Sequence, residues 1–292
     1  MYRLDIYRFN NSIEYEYKFI GNYGAKGEKR SRKQKKTPED IAKYNQRQKA
    51  KTVRRLLKAN FQKGDFWTTL TYQKGASKNI EEVAKDLKNF IERIKRAYKK
   101  QNVPCKYIYR IEIGSRGGIH IHIVLNRITD LDKIIQDKWT YGIAHNELLN
   151  EGPYEELSEY IVKPPSDQAK KILKTYADSE DIKKLIKYSC SRNLIRPLPE
   201  IHEKTHSTMR RIFNNPLKPT DGYYIDKNSI KRGTNLFTGY GYLQYQELKL
   251  TDKVKPETIR LCECPLCHQF TIDQFECRCR FEKIRRRQHG RT

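Results

Sequence analysis

From residue 37 onward the apolar positions follow two periods, and each change of period marks an element. A TPED start at Thr37 places Pro38 at a first helical position with two acids behind it. A helix is therefore predicted to begin there and to run through Ile41, Val53, Leu56 and Leu57. The seven residues FWTTLTY at 66–72 have high strand propensity and no breaker, which predicts a buried strand. Residues 80–99 carry apolar side chains at Val83, Leu87, Phe90, Ile91 and Ile94, the spacing of an amphipathic helix with a lysine-rich outer face. Strands are predicted at 106–113 and 118–125; the Gly-Ser-Arg-Gly-Gly run between them makes a hairpin the simplest connection. A helix at 131–139, a strand at 142–147 and a short helix at 154–163, stopped by Pro164 and Pro165, follow. Beyond about residue 200, Gly, Asn, Pro and Tyr become frequent, which suits a smaller β-rich region. Strands interleaved with helices predict an α+β fold, a central antiparallel sheet flanked by helices.

Charge narrows the choice of partner. The 292 residues include 60 Lys and Arg against 35 Asp and Glu, a formal net charge of +25, so an acidic polymer is expected. A hydrophobic content of 37% and 20 tyrosines supply enough core to argue against a disordered polycation. Residues 26–58 hold 14 basic side chains against 3 acidic ones. The stretch 26–36 is interrupted by glycine and has no apolar periodicity, as expected for a mobile arm; a basic helix follows it. Lys29, Arg30, Arg32, Lys33, Lys35 and Lys36 on the arm, with Arg54 and Arg55 on the helix, are the candidate phosphate contacts. No run approaches the ~18 apolar residues of a membrane span, and the first residues lack a secretory segment, so a cytoplasmic protein without a membrane partner is expected.

The sharpest local pattern is Gly118-Ile119-His120-Ile121-His122-Ile123. Strand alternation puts the isoleucines on one face and both imidazoles on the other, close enough to converge on one cation. Two histidines on a half-exposed strand could equally be ordinary surface residues. Glu112, on the preceding strand, would complete a ligand set only if the hairpin loop holds an odd number of residues or a bulge; an even loop turns it away. The second candidate is Tyr160-Ile161-Val162-Lys163, whose i to i+3 spacing brings a phenol and an ammonium together. A phenol near pKa ~10 is a poor nucleophile unless cationic neighbours favour the phenolate. Alone, such a pair is no more than part of an amphipathic helix.

Taken in order, FWTTLTY, GGIHIHIVLN and EYIVK resemble the three motifs of rolling-circle replication initiators of the HUH endonuclease superfamily, in the single-tyrosine branch found on small plasmids, phages and integrative elements of Gram-positive bacteria. The segments around Ala59-Asn60-Phe61, Lys138-Trp139-Thr140-Tyr141-Gly142, Tyr188-Ser189-Cys190-Ser191-Arg192-Asn193-Leu194-Ile195-Arg196-Pro197 and Gly222-Tyr223-Tyr224-Ile225-Asp226-Lys227 extend the resemblance over residues 26–250. It implies Mg2+ or Mn2+ held by His120 and His122 with Glu112 as third ligand, Tyr160 as nucleophile and Lys163 steadying the phosphate or phenolate. It also implies a 5′-phosphotyrosine, a free 3′-OH that primes a host polymerase, and DNA contacts that include Arg192 and Arg196. Tyr188 is the alternative nucleophile, because Pro164 and Pro165 cut the Tyr160 helix short. No GxxxxGK followed by Ser or Thr occurs, so unwinding is expected of a host helicase. The expected organisation is an N-terminal segment with arm and helix at 1–58, an HUH nicking domain at 59–200, a β-rich accessory region at 201–258 and a Cys-rich region with a basic tail at 259–292.

Five of the seven cysteines lie within residues 262–279. Two close pairs, Cys264 with Cys267 and Cys277 with Cys279, predict a zinc-binding knuckle holding structural Zn2+, although the second pair is tighter than the usual CxxC. The tail beyond it, with Arg285, Arg286 and Arg287, would present charge to DNA. Two other functions are compatible with these features. One is a relaxase for conjugative mobilisation, disfavoured because Tyr160 follows the histidine motif; the other is a catalytically silent, zinc-containing DNA-binding regulator.

Overall fold

The computed structural model describes residues 1–21, 27–28, 30–33, 35–76, 78–114, 118–174, 187–235, 237–250, 256–263 and 270–271. They fall into two units, one spanning residues 38–197 and one combining residues 1–37 with 198–292. Strands in both are antiparallel and helices accompany them, a mixed α/β architecture. No helix among the described residues is long and apolar enough to cross a membrane.

The chain begins with an antiparallel pair, β1 (Tyr2–Arg8) and β2 (Ser12–Phe19). The 38–197 unit follows, with α1 (Pro38–Asn60), β3 (Phe66–Tyr72), α2 (Ile80–Lys100), β4 (Tyr107–Ile113), β5 (Ile119–Leu125), α3 (Leu131–Lys138), β6 (Gly142–Leu148), α4 (Glu155–Ile161), α5 (Asp167–Lys174) and β7 (Ser189–Cys190). Its five-stranded sheet has the order β6-β3-β5-β4-β7. Gly142 opens β6 so close to β3 that a Cβ would lie 2.1 Å from the Thr71 carbonyl oxygen, which requires glycine there.

One face of this sheet is covered by α2 and α3. Val83, Leu87, Phe90, Ile91, Ile94 and Tyr98 of α2 bury against Ile111, Ile121, Ile123 and Leu125, with Ile135 of α3 and Trp139 closing the cluster. Each such large apolar side chain contributes roughly 1.5–3 kcal/mol when fully buried. A capping box starts α2: Asn79 Oδ1 accepts from the Glu82 amide at 2.8 Å and Glu82 Oε2 accepts from the Asn79 amide at 2.9 Å. Asn79→Ala should lower unfolding stability by about 1 kcal/mol, read as a shift in denaturant midpoint at unchanged slope.

The opposite face is covered at one end only. Val53, Leu56 and Leu57 of α1 and Ile161 and Val162 at the end of α4 pack on Ile108 and Val124. The buried strand expected at 66–72 is thus two-faced: Phe66, Thr68 and Leu70 are buried, while Trp67, Thr69 and Thr71 line the half-open face.

The second unit gathers β1, β2, β8 (Glu200–Lys204), α6 (Met209–Asn214), β9 (Tyr223–Ile225), β10 (Lys231–Thr234) and β11 (Gly241–Lys249). Its sheet runs β10-β11-β2-β1-β8, with β9 also on β11, and Tyr2, Met209, Phe213, Ile225 and Leu243 lie in its core. Two short strands, β12 (Cys262–Glu263) and β13 (Phe270–Thr271), pair with each other.

These units differ from the expected borders at 58/59 and 200/201. Helix α1 falls in the 38–197 unit because its apolar face packs on that unit's sheet, and residues 1–21 enter the other unit because β1 and β2 complete its sheet. The arm is not free along its whole length either. Ser31 donates to the Gly239 carbonyl at 2.8 Å, Arg30 Nε donates to the Thr238 carbonyl at 3.0 Å, and Lys36 sits 4.6 Å from the Phe237 ring centre. Gly239 has φ +73°, and a Cβ there would meet the Ser31 carbonyl oxygen at 2.2 Å, so glycine permits this anchor.

Candidate active site

The site is built on the half-open sheet face of the 38–197 unit. Register places Glu112 of β4 opposite His120 of β5, and Arg110 opposite His122. On the other side of β5, Thr71 faces His120 and Thr69 faces His122. One row of alternating positions therefore brings Glu112, Arg110, His120, His122 and Thr69 to the same surface. The Gly114 amide bonds to the Gly118 carbonyl at 2.8 Å and leaves three residues, 115–117, between these two; this is an odd connection, and it turns Glu112 toward the histidines.

Helix α4 brings Tyr160 over this row. Its hydroxyl donates to Glu112 Oε2 and lies 2.9 Å from His122 Nε2, while His122 Nε2 and Glu112 Oε2 are 3.1 Å apart. Thr69 Oγ1 sits 3.1 Å from His122 Nδ1 on the far side of the ring. With the phenol proton committed to Glu112, an Nε2–H tautomer of His122 donates to the phenol oxygen and the carboxylate, and Nδ1 accepts from Thr69. Trp67 stacks on His122 at 5.4 Å and 10°, and meets the Tyr160 ring edge-on at 5.9 Å. Lys163, beyond the end of α4, places its Nζ 6.0 Å from the Tyr160 ring centre. It lines a crevice together with Arg110, Glu112 and Ser166.

Electrostatics follow from burial and these contacts. Burial pushes the Tyr160 phenol above its ordinary value, and the hydrogen bond to the Glu112 carboxylate and its charge push it further; Arg110 opposes them. Burial alone would raise Glu112, but donation from Tyr160 and the charges of Arg110 and His122 outweigh it and hold the carboxyl below its usual range. Burial depresses His122 despite the neighbouring Glu112, so the ring is neutral at pH 7. The resting arrangement is a protonated phenol handed to an ionised carboxylate beside a neutral imidazole. Among the described residues no three His, Cys, Asp or Glu side chains converge as a ready-made cation site. Glu112 and His122 meet, and the His120 ring centre lies 6.5 Å from that of His122 on the same face.

The remaining candidates are dispersed. Tyr188 packs with the α1 and α4 apolar cluster, so it is Tyr160 that reaches Glu112 and His122. Arg54 is engaged in an ion pair with Glu155 at 2.9 Å, its side chain 13% exposed, which ties α1 to the start of α4 instead of offering a free cation to phosphate. Arg55 is half-buried, and Arg192 and Arg196 are exposed. Arg192 shares a cleft with Lys95, Lys99 and Tyr107, apart from the tyrosine site. Arg30, Arg32, Lys33, Lys35 and Lys36 are exposed in the other unit. Lys29, Cys264, Cys267, Cys277, Cys279, Arg285, Arg286 and Arg287 lie outside the described residues.

Sequence reasoning missed Arg110, Thr69 and Trp67. Arg110 stands two residues before Glu112 in YIYRIEI, and period-2 alternation puts it on the same face; a cation two positions from the acid, in a strand otherwise made of Ile and Tyr, was the available signal.

No curated protein and no solved structure gives a significant match to the chain. Residues 65–165, which carry Glu112, His120, His122, Tyr160 and Lys163, match a family model described as replication-associated protein of the ORF2 type, a similarity consistent with a rolling-circle replication initiator.

Proposed function

We propose that the chain starts rolling-circle replication by nicking and rejoining single-stranded DNA at an origin, with Tyr160 as nucleophile in an HUH-type site. The observation that supports this most is the Tyr160 hydroxyl within hydrogen-bond reach of both Glu112 and His122, inside the segment that matches a replication protein family. The phenol oxygen attacks a phosphodiester phosphorus as Glu112 takes its proton; the bond from phosphorus to the 3′ oxygen breaks, and that oxygen takes a proton from solvent, to which Glu112 then releases its own. The products are a 5′-phosphotyrosine and a free 3′-OH. Because one ester replaces another, a later 3′-OH reverses the link and rejoins the strand without ATP. The 3′-OH would prime a host polymerase, with unwinding left to a host helicase.

Glu112, His120 and His122 offer one carboxylate and two imidazoles, a set that suits Mn2+ and, less well by donor softness, Mg2+. They would hold a divalent cation, which supplies Lewis-acid polarisation of the scissile phosphoryl group. His122 is oriented for this by Thr69 and Trp67, and Lys163 places a positive charge beside the phenol. The exposed basic residues supply salt-sensitive affinity for the DNA backbone. A structural Zn2+ held by Cys264, Cys267, Cys277 and Cys279 completes the proposed cofactors.

The test is to incubate the purified protein with single-stranded oligonucleotides spanning a candidate origin, with Mn2+ or with EDTA, and to run denaturing gels. A protein–DNA adduct that requires the metal is expected. Tight, salt-sensitive binding to a verified origin with no adduct in either condition would sink the nicking reading and favour a silent DNA-binding regulator.

A further inference from the structure

Helix α4 carries the nucleophile, yet little in its own sequence holds it. It spans seven residues, starts after Tyr154 in a left-handed conformation with no side-chain cap, and has no basic residue in its last turn. Isolated helices this short do not persist in water, and their last carbonyls need outside donors. The Lys163 amide reaches the Tyr160 carbonyl at 3.1 Å, and the side-chain donors come from two other elements. Arg110 of β4 donates through one terminal nitrogen to the Tyr160 carbonyl and, at 3.4 Å, to the Ile161 carbonyl, while Gln46 of α1 donates to the Val162 carbonyl. The Arg110 guanidinium carbon also lies 5.5 Å from the centre of the Tyr160 ring, within cation–π range. Arg110 is 3% exposed, and among the described residues its Nε has no hydrogen-bond partner.

Burying a guanidinium with one donor unsatisfied costs stability, and an apolar side chain would fill this place with less penalty. What the arginine supplies is geometry: a rigid link from β4, the strand that bears Glu112, to the backbone and ring of Tyr160. The geometry points to Arg110 as a positioning residue for strand cleavage, fixing the reach of the Tyr160 hydroxyl toward the phosphodiester through the end of α4. The inference rests on the nicking reading proposed above. A reacting atom misplaced by about 1 Å can cost roughly 100-fold in rate, so a link of this kind should show in the chemical step before it shows in binding.

The experiment measures single-turnover adduct formation against oligonucleotide concentration in Mn2+ for wild type, Arg110→Lys and Arg110→Met, with circular dichroism to establish the folded fraction. The maximal rate should fall in the order wild type, Arg110→Lys, Arg110→Met, the last by roughly 10- to 100-fold. The half-saturating oligonucleotide concentration should stay within twofold. Partial rescue by lysine is expected because it keeps one charged donor but cannot span two carbonyls and the ring. Should Arg110→Met fail to fold, Arg110→Lys decides alone: a maximal rate equal to wild type overturns the inference. So does a loss in either variant that merely tracks the folded fraction, or that moves half-saturation in proportion. A wild-type protein that forms no adduct sinks the nicking reading and this inference with it, whereas a wild-type adduct formed equally fast by both variants sinks this inference alone.

Discussion

Tyr160→Phe is expected to abolish the covalent protein–DNA product while leaving the fold and oligonucleotide affinity in place. The substitution removes one oxygen, and with it the hydrogen bond to Glu112 and the contact to His122 at 2.9 Å, but keeps the ring that meets Trp67 edge-on at 5.9 Å. Without an oxygen nucleophile the transesterification has no first step, so the rate should fall by roughly 10⁴-fold or more, as when a sole nucleophile is removed from a catalytic set. The stability change should stay within about 1–2 kcal/mol, the net worth of the lost hydrogen bonds. Adduct yield on denaturing gels and the unfolding midpoint check the two halves separately. An adduct that persists here but disappears in Tyr188→Phe would keep the enzyme and move its nucleophile.

Glu112→Gln should give the second-largest loss, about 10²- to 10⁴-fold in the single-turnover rate, the range for removal of a positioned proton acceptor. The carboxylate is ionised at neutral pH because donation from Tyr160 and the charges of Arg110 and His122 overcome the effect of its burial. The amide keeps the shape, loses the charge and no longer draws the phenol proton. Titrating Mn2+ against the variant separates two roles. A higher half-saturating metal concentration marks Glu112 as a ligand, whereas a depressed plateau at unchanged half-saturation marks it as the base. A variant that matches wild type in both quantities would rule out either part in the reaction.

Much of the candidate site could be read from the chain because strand alternation is a local property. His120 and His122 share a face in any extended conformation, and Tyr160 and Lys163 are neighbours at helical spacing. Glu112 could not be placed in the same way, since its side depends on the count and conformation of a glycine-rich turn; in the structure the register resolves to Glu112 opposite His120. Arg54 shows the converse. Composition makes it one more cation in a basic stretch, and its pairing with Glu155 depends on α1 packing against α4, 101 positions away in sequence. The N-terminal strands went unpredicted although Tyr2, Leu4 and Ile6, then Ile13, Tyr15 and Tyr17, alternate clearly. Their partners include β8 and β11, some 200 residues on, and no local signal predicts such closure.

The sequence by itself determined the helices and strands of residues 38–163, the face that carries both imidazoles, the excess of positive charge and the order of motifs around Tyr160. These follow from period, propensity and composition, which act over a few residues. Tertiary structure alone decided that Glu112, His122 and Tyr160 meet within hydrogen-bond reach, that Thr69 and Trp67 hold the His122 ring, and that Arg110 clamps the end of α4. It also decided that residues 1–19 join the same sheet as residues 200–249. The reason is physical: hydrogen-bond and ring contacts act over about 3 to 6 Å, and only the packing of α1 and α4 on β4 and β5 brings groups tens of residues apart within that range.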